Sequence, residues 1–408
     1  MSKMEVKVVR IKKKANHPNA DRLTIYNVGG YNCISNKLED GSDRYNVGDL
    51  VVYIPENALL PEWLLKAMGF WNEEKQQGTM AGSAGNRVKP VKLRGIYSEG
   101  VLYPAKTIEG LSESVIESYG YNEDTRLIFN EQGGYVGFKP AIEGEDISEF
   151  LGITKWEPPI PVGMAGEMFN SGKMRPSYDI EPIQKYMNVF IEGEIVEYTE
   201  KCHGTQTAIV FCKDETHPEA FGEDKNIFLF SKGLGDKGLS VKNVERNANN
   251  AYLRAFKECD IEAKVKSSYF WNKESTRKLV IFGETYGVQD LKYGLTNGQV
   301  DFILFDVWVE EDFQGDITQR YLNFENCKLF AEDAKIKRVP SLYVGPFSVE
   351  TLQEYTSGNT AIADVKQIRE GVVVRPQMER YHEEIGRVIL KSVSEAYKLR
   401  KGEVTEFN

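Results

Sequence analysis

A lysine followed by a histidine and a glycine stands in the segment YTEKCHGT, where Lys201 precedes His203 and Gly204. A lysine becomes a nucleophile only when it loses its proton, which requires burial or a neighbouring charge that lowers its pKa. A turn that ends in glycine lets a phosphate group approach the backbone closely. The segment therefore predicts a covalent lysine site for a phosphate-containing substrate, although taken alone it fits a surface hairpin turn with a solvated lysine better.

Four further segments place a charged or aromatic side chain in or beside an apolar, strand-like run. Glu284 ends VIFGE, Phe305 lies in FILFDV, Glu370 precedes GVVVR and Lys391 ends VILK. A carboxylate there could bind a ribose hydroxyl or a hard divalent cation, and a lysine could neutralise a phosphate. Because Phe302 and Phe305 are three apart, a strand turns them to opposite sides, so that one packs in the core while the other can stack on a purine. Each segment alone also fits an ordinary strand end or core residue.

In this order the segments resemble the motifs of covalent nucleotidyl transferases, which include RNA ligases, DNA ligases and mRNA capping enzymes. KCHG resembles motif I, LFSKG (229–233) motif Ia, IFGE motif III, ILFDV motif IIIa, EGVVVR motif IV and ILK motif V. Histidine rather than aspartate in motif I points toward RNA ligases. HPNADRL (17–23) resembles OB-fold tRNA-binding domains, and the combination is similar to the fifth RNA ligase family, in which an OB domain precedes the transferase domain.

The resemblance implies an ATP-dependent RNA ligase that carries AMP on Lys201 and joins a 3′-hydroxyl to a 5′-phosphate. RNA, or a nicked duplex with RNA on the 3′-hydroxyl side, is the expected substrate. The implied catalytic residues are Lys201, Lys391 on the α-phosphate and His203 around the leaving pyrophosphate. The residues implied for ATP are Glu200 beside the adenine, Lys201, Lys232, Glu284 at the ribose, Phe305 stacked on the adenine, Glu370 and Lys391. Glu370 is also the implied ligand of Mg²⁺ or Mn²⁺.

Two positions depart from the motifs. Lys232 stands where relatives often have arginine, and the two cations are not equivalent at a phosphate or ribose contact. Motif V often has a second lysine, whereas here Ser392 and Val393 follow Lys391. The residues that could supply the second cation are Arg375, Arg387 and Lys398, and the sequence leaves the choice among them open.

The composition is that of an ordinary globular protein, with 41% hydrophobic and 27% charged residues in 408, which is enough for two or three domains. No apolar stretch follows the basic N-terminal residues, and no apolar run is long enough to span a bilayer. We therefore expect a cytosolic protein without membrane association. The five cysteines form no CxxC pair, which predicts reduced thiols rather than a zinc site or a disulfide framework.

A net charge of −10 argues mildly against a nucleic-acid partner. Local clusters of basic residues nevertheless determine the electrostatic potential that acts on a nucleic-acid phosphate backbone. Of these clusters, the one in the closing part of the expected barrel is our candidate for RNA contact, with Lys89, Lys92, Arg94 and Tyr97. No obligate protein partner is inferred.

The fold class expected from pattern and resemblance is α+β. We expect an N-terminal OB-fold β-barrel at 1–155, a linker rich in proline and glycine at 156–182, and at 183–408 an ATP-grasp-like, DNA-ligase-type nucleotidyltransferase domain with antiparallel sheets and flanking helices. The residues that follow Lys391 leave no room for the C-terminal OB domain of DNA ligases and capping enzymes.

Apolar runs between turn signals predict the individual elements. The predicted strands are 6–11, 23–28, 50–54, 100–103, 189–196 paired with 207–212, 279–282, 302–308, 371–374 and 387–390. The predicted helices are 240–257 and 348–355, the second capped by Ser348 and followed by Gly358. Segment 71–90 is predicted to be a mobile loop.

Two other functions remain open from the sequence. A capping-type guanylyltransferase would share the motifs but would be labelled by GTP rather than ATP. A non-catalytic RNA-binding or tRNA-chaperone protein would explain HPNADRL but not the joint presence of Lys201, Glu284, Glu370 and Lys391.

Overall fold

The computed structural model describes residues 4–107, 113–122, 124–132, 136–156 and 166–400. Contacts between residues divide the chain into two units, Lys3–Glu157 and Pro158–Asn408. Each unit has apolar cores of its own.

The first unit consists mainly of short strands. They are β1 (Lys7–Arg10), β2 (Lys13–Asn16), β3 (Leu23–Val28), β4 (Tyr31–Asn36), β5 (Leu50–Ile54), β6 (Ala58–Leu59), β7 (Trp71–Asn72), β8 (Gln77–Gly78), β9 (Val91–Leu93), β10 (Ile96–Ser98), β11 (Val101–Pro104), β12 (Lys106–Thr107), β13 (Arg126–Asn130), β14 (Gly137–Pro140) and β15 (Thr154–Lys155). Its helices are α1 (Glu62–Ala67) and α2 (Glu113–Tyr119). The three-stranded sheets have the orders β1-β5-β11, β2-β3-β4 and β12-β13-β14.

Alternation of side chains builds the core of this unit. In β3, Thr24, Tyr26 and Val28 point inward while the residues between them are half-buried, as the two-residue period of a strand requires. The Ile34 amide donates to the Ser98 hydroxyl over 2.9 Å, and the Cys33 thiol donates to the Glu99 carbonyl over 3.1 Å. These contacts join the end of β10 to β4 and help to close the barrel.

The β9–β10 hairpin carries the basic cluster predicted to contact RNA. Arg94 and Gly95 form its turn with φ of 45° and 95°, which suits a tight two-residue hairpin. The side chains of Lys92 and Arg94 are exposed, and Lys92 lies opposite Tyr97 in the ladder. The HPNADRL segment supports the turn, because His17 Nε2 contacts the Leu93 carbonyl oxygen at 3.0 Å.

The second unit contains two five-stranded sheets with helices beside them. Its strands are β16 (Met168–Asn170), β17 (Glu181–Pro182), β18 (Ile195–Lys201), β19 (Thr205–Cys212), β20 (Ile227–Ser231), β21 (Leu239–Val241), β22 (Thr276–Tyr286), β23 (Asp301–Phe313), β24 (Asp316–Tyr321), β25 (Ser341–Pro346), β26 (Gly371–Pro376), β27 (Tyr381–His382), β28 (Gly386–Arg387) and β29 (Leu390–Val393). Its helices are α3 (Lys232–Asp236), α4 (Ala251–Glu258), α5 (Ile261–Ser267), α6 (Tyr269–Asn272), α7 (Phe324–Asp333), α8 (Val349–Thr356) and α9 (Glu395–Lys398).

Sheet 1 has the order β17-β29-β26-β18-β25, and sheet 2 has the order β20-β19-β22-β23-β24. All neighbouring strands are antiparallel except β17 and β29. The strands β19 and β22 are buried along nearly their whole length, because helices cover one side of sheet 2 and a second apolar cluster covers the other. The expectation of antiparallel sheets with flanking helices is confirmed.

Several predicted elements agree closely with the structure. Strands β3 and β5 have the predicted bounds, and the strand predicted at 371–374 is the first part of β26. Ser348 caps α8 in a reciprocal capping box with Thr351, and Gly358 lies beyond its end with φ of 137°. The local pattern of apolar residues, turns and helix caps was sufficient to predict these elements.

The prediction of paired strands at 189–196 and 207–212 is wrong. Chain turns occupy 189–194, where Gly193 has φ of 83°, and the strand begins at Ile195. β18 then pairs with β25 and β26, whereas β19 pairs with β20 and β22. Each of the two strands pairs with strands that are distant in the sequence. The short turn between them gives no indication of those partners.

Three other predicted bounds need correction. The predicted helix 240–257 is α-helical only from Ala251, with a short 3-10 turn at Glu245–Asn247, because Asn250 accepts backbone N–H groups as an N-cap and Leu239–Val241 pairs with β16. The strand predicted at 387–390 is displaced, so that Lys391 lies inside β29 rather than at a strand end. Segment 71–90 contains the β7–β8 hairpin and the buried side chain of Arg87 rather than only a loop.

All five cysteines lie in the described part of the chain, and none is paired with another. Among the residues that the structure describes, no helix is both long and apolar enough to cross a membrane.

Candidate active site

The turn after Lys201 connects the two sheets of the second unit. Lys201 is the last residue of β18 in sheet 1, and Thr205 begins β19 in sheet 2. Between them, Gly204 has no room for a side chain, since a Cβ there would lie 2.5 Å from the Thr285 carbonyl oxygen. The turn is therefore packed directly against β22.

The ammonium of Lys201 is hydrogen-bonded to the carboxylate of Glu370. The ladder explains this proximity, because Lys201 lies opposite Gly371, the residue that follows Glu370. Glu370 is fully buried. Gly371 cannot bear a side chain either, because a Cβ would lie 2.0 Å from the Ser392 carbonyl oxygen. Backbone packing thus fixes the carboxylate beside the lysine.

One cavity is lined by all eight residues that the sequence analysis selected: Glu200, Lys201, His203, Lys232, Glu284, Phe305, Glu370 and Lys391. Sheet 1 positions Lys201, Glu370 and Lys391, the groups suited to phosphate chemistry. Glu284 and Phe305 come from sheet 2, and Lys232 follows its strand β20.

A bulge in β23 directs Phe305 into the cavity. Phe282 pairs with Asp306 and Gly283 with Leu304, which leaves Phe305 as an extra residue in the ladder. Phe302 instead is buried in the core, where its ring covers Gly283. Of the two phenylalanines, Phe305 is therefore the one available for stacking.

The two residues that flank Lys201 are held in the protein interior. The carboxylate of Glu200 accepts from the Thr360 hydroxyl and the Ala361 amide, each over 2.6 Å, and burial raises its pKa. Burial, aided by the negative charge of Glu284, raises the pKa of Cys202 well above its usual range. The Cys202 thiol therefore stays protonated and does not compete with the lysine as a nucleophile.

Both ring nitrogens of His203 contact other side chains of the protein, although His203 also lines the cavity. Its Nε2 lies 2.7 Å from Asp290 Oδ1, and its Nδ1 lies 2.8 Å from the Tyr397 hydroxyl. The His203 amide donates to the Tyr293 hydroxyl over 2.6 Å. Both ring nitrogens thus have partners within the chain.

Several residues that line the cavity were missed by the sequence analysis, among them Tyr178, Asp179 and Gln206. Tyr178 and Asp179 lie in the proline-rich segment interpreted as a linker, and their residue types gave no signal there. Asp179 pairs with Lys232 over 2.9 Å. Gln206 lies opposite Glu284 in the ladder, and among the described residues its buried Nε2 has no hydrogen-bond partner.

A buried ionic network lies beside the cavity and links the two sheets. Asp306 of sheet 2 accepts from the Tyr178 hydroxyl over 2.8 Å and from Arg387. Arg375 of sheet 1 lies 3.6 Å from Asp306 and donates to Glu197 over 3.1 Å. Burial and the neighbouring Asp306 charge raise the pKa of Tyr178 well above its usual range, so its hydroxyl remains a donor.

This network bears on the open question of the second motif V cation. Within the described part of the chain, only Arg375 of the three candidates Arg375, Arg387 and Lys398 lines the cavity. Arg375 forms ion pairs with Glu197 and Asp306, and Arg387 forms ion pairs with Asp306 and Glu379. Arg375 therefore links sheet 1 to sheet 2, and Arg387 links Asp306 of sheet 2 to Glu379.

The cavity fits a divalent cation held mainly by its substrate. The described residues contain no group of three or more histidine, cysteine or acidic side chains arranged to hold a metal ion. Mg²⁺ is commonly held by one or two carboxylates together with substrate phosphates and water. Glu370 supplies one such carboxylate, which contacts Lys201 and lines the same cavity as Lys391.

Comparison with known proteins gives a family match for each unit. The model of the RNA ligase family matches residues 194–393, and an OB-fold domain model matches residues 5–105. A search of curated proteins gives no match.

Structures of Naegleria gruberi RNA ligase are similar over nearly the whole chain. The structure with pyrophosphate has a TM-score of 0.65 at 20% identity and covers 97% of this chain and 98% of that chain. A variant with ATP and Mn (TM-score 0.65, 21% identity) and one with AMP and Mn (TM-score 0.65, 20% identity) cover the same shares. At this level of identity the likeness concerns the fold, and it confirms the predicted α+β architecture.

The family match covers the residues that line the cavity from Lys201 to Lys391. This chain therefore carries a nucleotidyltransferase domain of the RNA ligase family at residues 194–393, preceded by an OB-fold domain at residues 5–105.

Proposed function

We propose that this protein is an ATP-dependent RNA ligase that works through a covalent lysyl-AMP. The observation that carries the proposal is the contact between Lys201 and the buried carboxylate of Glu370, in a cavity lined by every other residue selected for nucleotide binding. A solvated surface lysine, the other interpretation of this segment, would lack such surroundings.

The reaction begins when Lys201 Nζ attacks the α-phosphorus of ATP. The new N–P bond replaces the bond to pyrophosphate, which leaves. The 5′-phosphate of a nucleic-acid strand next attacks the lysyl-AMP, so that AMP is transferred and the lysine is regenerated. A 3′-hydroxyl finally attacks the 5′-phosphate and expels AMP, which forms the phosphodiester bond.

Side chains from both sheets support these steps. In sheet 1, Lys391 stabilises the negative charge of the α-phosphate. Glu370 would hold a divalent cation, which would supply positive charge that stabilises phosphate oxygens and favours the neutral amine of Lys201. In sheet 2, Glu284 accepts from the ribose and Phe305 stacks on the adenine.

Two further residues complete the proposed nucleotide site. Lys232, beside Asp179, faces the polyphosphate or the ribose, and Glu200 supports the adenine side of the cavity while Thr360 and Ala361 hold its carboxylate. Bound ATP and Mn in the Naegleria gruberi structures support the same cosubstrate and metal here.

Covalent labelling tests the first step. The protein is incubated with α-³²P-ATP and Mg²⁺ or Mn²⁺ and separated on a denaturing gel, beside Lys201→Ala and a control, Lys257→Ala, whose lysine is exposed on α4. We expect label on the wild type and on the control but not on Lys201→Ala. Pyrophosphate treatment before labelling removes AMP carried over from expression. If no label appears after this treatment, the ligase proposal fails, and label from GTP alone would indicate a capping-type enzyme.

We further propose that the substrate is a nick whose 3′-hydroxyl strand ends in RNA. The exposed Lys92 and Arg94 on the β9–β10 hairpin, with Tyr97 opposite Lys92, support this proposal, because OB folds bind nucleic acid by combining cations with stacking rings. Sealing assays compare four substrates: nicked duplexes with RNA or DNA on the 3′-hydroxyl side, single-stranded RNA and single-stranded DNA. Preference for the RNA-ended nick is expected, and equal sealing of the single strands would contradict it.

A further inference from the structure

The segment that follows Lys391 reaches back to the turn that carries the nucleophile. Ser394 begins α9 as its N-cap, and its amide donates to the Glu370 carbonyl over 2.8 Å. The Ser394 hydroxyl also donates to the Arg369 carbonyl over 3.1 Å. The start of α9 is therefore attached to the backbone around the carboxylate that contacts Lys201.

The next residues of α9 contact His203. The Tyr397 hydroxyl lies 2.8 Å from His203 Nδ1, and both residues are buried. On the other side of the imidazole, Asp290 Oδ1 lies 2.7 Å from Nε2. A neutral imidazole satisfies both contacts when Nε2–H donates to Asp290 and Nδ1 accepts the Tyr397 hydroxyl proton.

Arg400 closes the group. Its Nε donates to Asp290 Oδ2 over 2.8 Å, its Nη1 donates to the Tyr397 carbonyl over 2.8 Å, and its guanidinium lies 3.6 Å from the centre of the Tyr397 ring. Burial opposes ionisation of Asp290, but the hydrogen bonds from His203 and Arg400 outweigh it and hold the pKa of that carboxyl well below its usual range. Asp290 therefore remains a charged acceptor.

These contacts hold the turn from several directions. The ring of His203 is fixed by Asp290 and Tyr397, its amide is fixed by Tyr293, and Gly204 packs against β22. A nucleophile that must meet a phosphorus atom in line loses rate steeply when its supporting backbone shifts by a fraction of an ångström. We call the group formed by Asp290, Tyr397 and Arg400 the His203 clamp.

We propose that the His203 clamp is a positioning device for Lys201, so that residues 394–400 take part in adenylylation without touching ATP. His203 then acts through the turn rather than on the pyrophosphate, because both ring nitrogens are engaged within the protein. This inference rests on the proposed ligase function, since it assigns a role within the same site.

Single-turnover adenylylation tests the clamp in the full-length protein. Tyr397→Phe removes one hydroxyl, and Asp290→Asn replaces the charged acceptor with an amide of similar shape. Tyr381→Phe is the matched control, because the Tyr381 side chain is 69% exposed. The rate of label transfer from α-³²P-ATP is measured over a range of ATP concentrations, and thermal unfolding of each variant is recorded.

We expect Tyr397→Phe and Asp290→Asn each to lower the rate at saturating ATP by about tenfold, with the half-saturating ATP concentration within about twofold of wild type. Because the two residues act on one imidazole, the double variant should be no more than about threefold slower than the slower single variant. Tyr381→Phe should match the wild type.

The outcomes separate this inference from the proposed function. Absence of label on the wild type would refute the ligase proposal itself. A labelled wild type with unchanged rates in both variants would refute the clamp. A rise in half-saturating ATP at an unchanged maximal rate would place these residues in ATP binding instead, and losses that multiply in the double variant would refute a shared positioning role. If Tyr397→Phe unfolds, Asp290→Asn and Arg400→Lys give the same test.

Discussion

The charged residues beside the cavity of the second unit differ in burial from those on the β9–β10 hairpin of the first unit. In the second unit, Glu197, Asp306, Glu370 and Arg375 are buried within hydrogen-bonded or ionic contacts. In the first unit, Lys92 and Arg94 are exposed on the β9–β10 hairpin. Burying a charge costs desolvation free energy, which only ion pairs and hydrogen bonds of fixed geometry can offset. Exposed cations keep their hydration and attract phosphates over a distance that becomes shorter as the salt concentration rises.

Buried charged pairs are therefore suited to positioning their neighbours, and exposed cations are suited to recognising a phosphate backbone. A buried pair stabilises one arrangement of its neighbours and responds strongly to the loss of either partner. An exposed cation contributes a small, salt-dependent share of binding energy and tolerates replacement. Substitutions of buried and of exposed charged residues test this division.

Glu370→Gln should reduce adenylylation of Lys201 by about a hundredfold or more, because the amide keeps the shape of the side chain but is a poor ligand for the proposed divalent cation. The rate of label transfer from α-³²P-ATP measures this loss. Glu383→Gln, an exposed acidic residue of the same unit, is the control and should retain the wild-type rate. Comparable rates for both variants would show that the buried carboxylate has no special role.

Asp306→Asn should destabilise the second unit by about 3 kcal/mol, since it leaves Arg375 and Arg387 buried with less compensating charge. Urea unfolding should show a lower midpoint for the transition of this unit. The exposed Asp214, which pairs with Arg277 at the surface, provides the comparison, and Asp214→Asn should leave the midpoint unchanged. Equal shifts would contradict the distinction between buried and exposed pairs.

Gly371→Ala should cost about 2 kcal/mol and slow adenylylation, because its Cβ would meet backbone atoms of Ser392 that cannot move independently. Gly345→Ala is a matched control in sheet 1, where the nearest atom is the end of the Tyr343 side chain and can rotate away. Thermal unfolding and label transfer are measured for both. A larger loss at Gly345 would indicate that the glycine in motif IV is not constrained by packing.

Lys92→Ala combined with Arg94→Ala should give the smallest effect, a weakening of nick binding by a few-fold at physiological salt. The slope of log affinity against log salt concentration should become shallower by about two, because two phosphate contacts are lost. Lys12→Ala with Lys13→Ala removes the same charge from another exposed part of this unit. An equal change in this control would mean that only net charge matters.

The sequence alone sufficed where residue type carries the chemistry. Lys201, Glu370 and Lys391 could be selected because a lysine nucleophile, a carboxylate and a cation are what phosphate transfer requires, and their order matched known motifs. The choice between Phe302 and Phe305 could be narrowed by strand alternation, but the bulge that aims Phe305 at the cavity depends on the register between β22 and β23.

The rest depended on contacts between residues distant in the chain. The strands on either side of Lys201 separate into different sheets, which no local pattern indicates. Tyr178 and Asp179 reach the cavity from a segment whose prolines suggested only a connection. The family resemblance placed His203 around the pyrophosphate, and its contacts with Asp290 and Tyr397 could not be predicted because these residues are 87 and 194 positions away.

The separation of cavity residues between the two sheets has a practical consequence for engineering. Sheet 1 positions Lys201, Glu370 and Lys391, which we propose for phosphate chemistry, and also carries Glu200. Glu284 and Phe305, which we propose for the sugar and the base, belong to sheet 2. Mutant libraries confined to β22 and β23 can therefore search for enzymes that accept altered bases or sugars while the reacting lysine and its carboxylate keep their own scaffold. Selectivity and reactivity become two design variables that can be optimised one after the other.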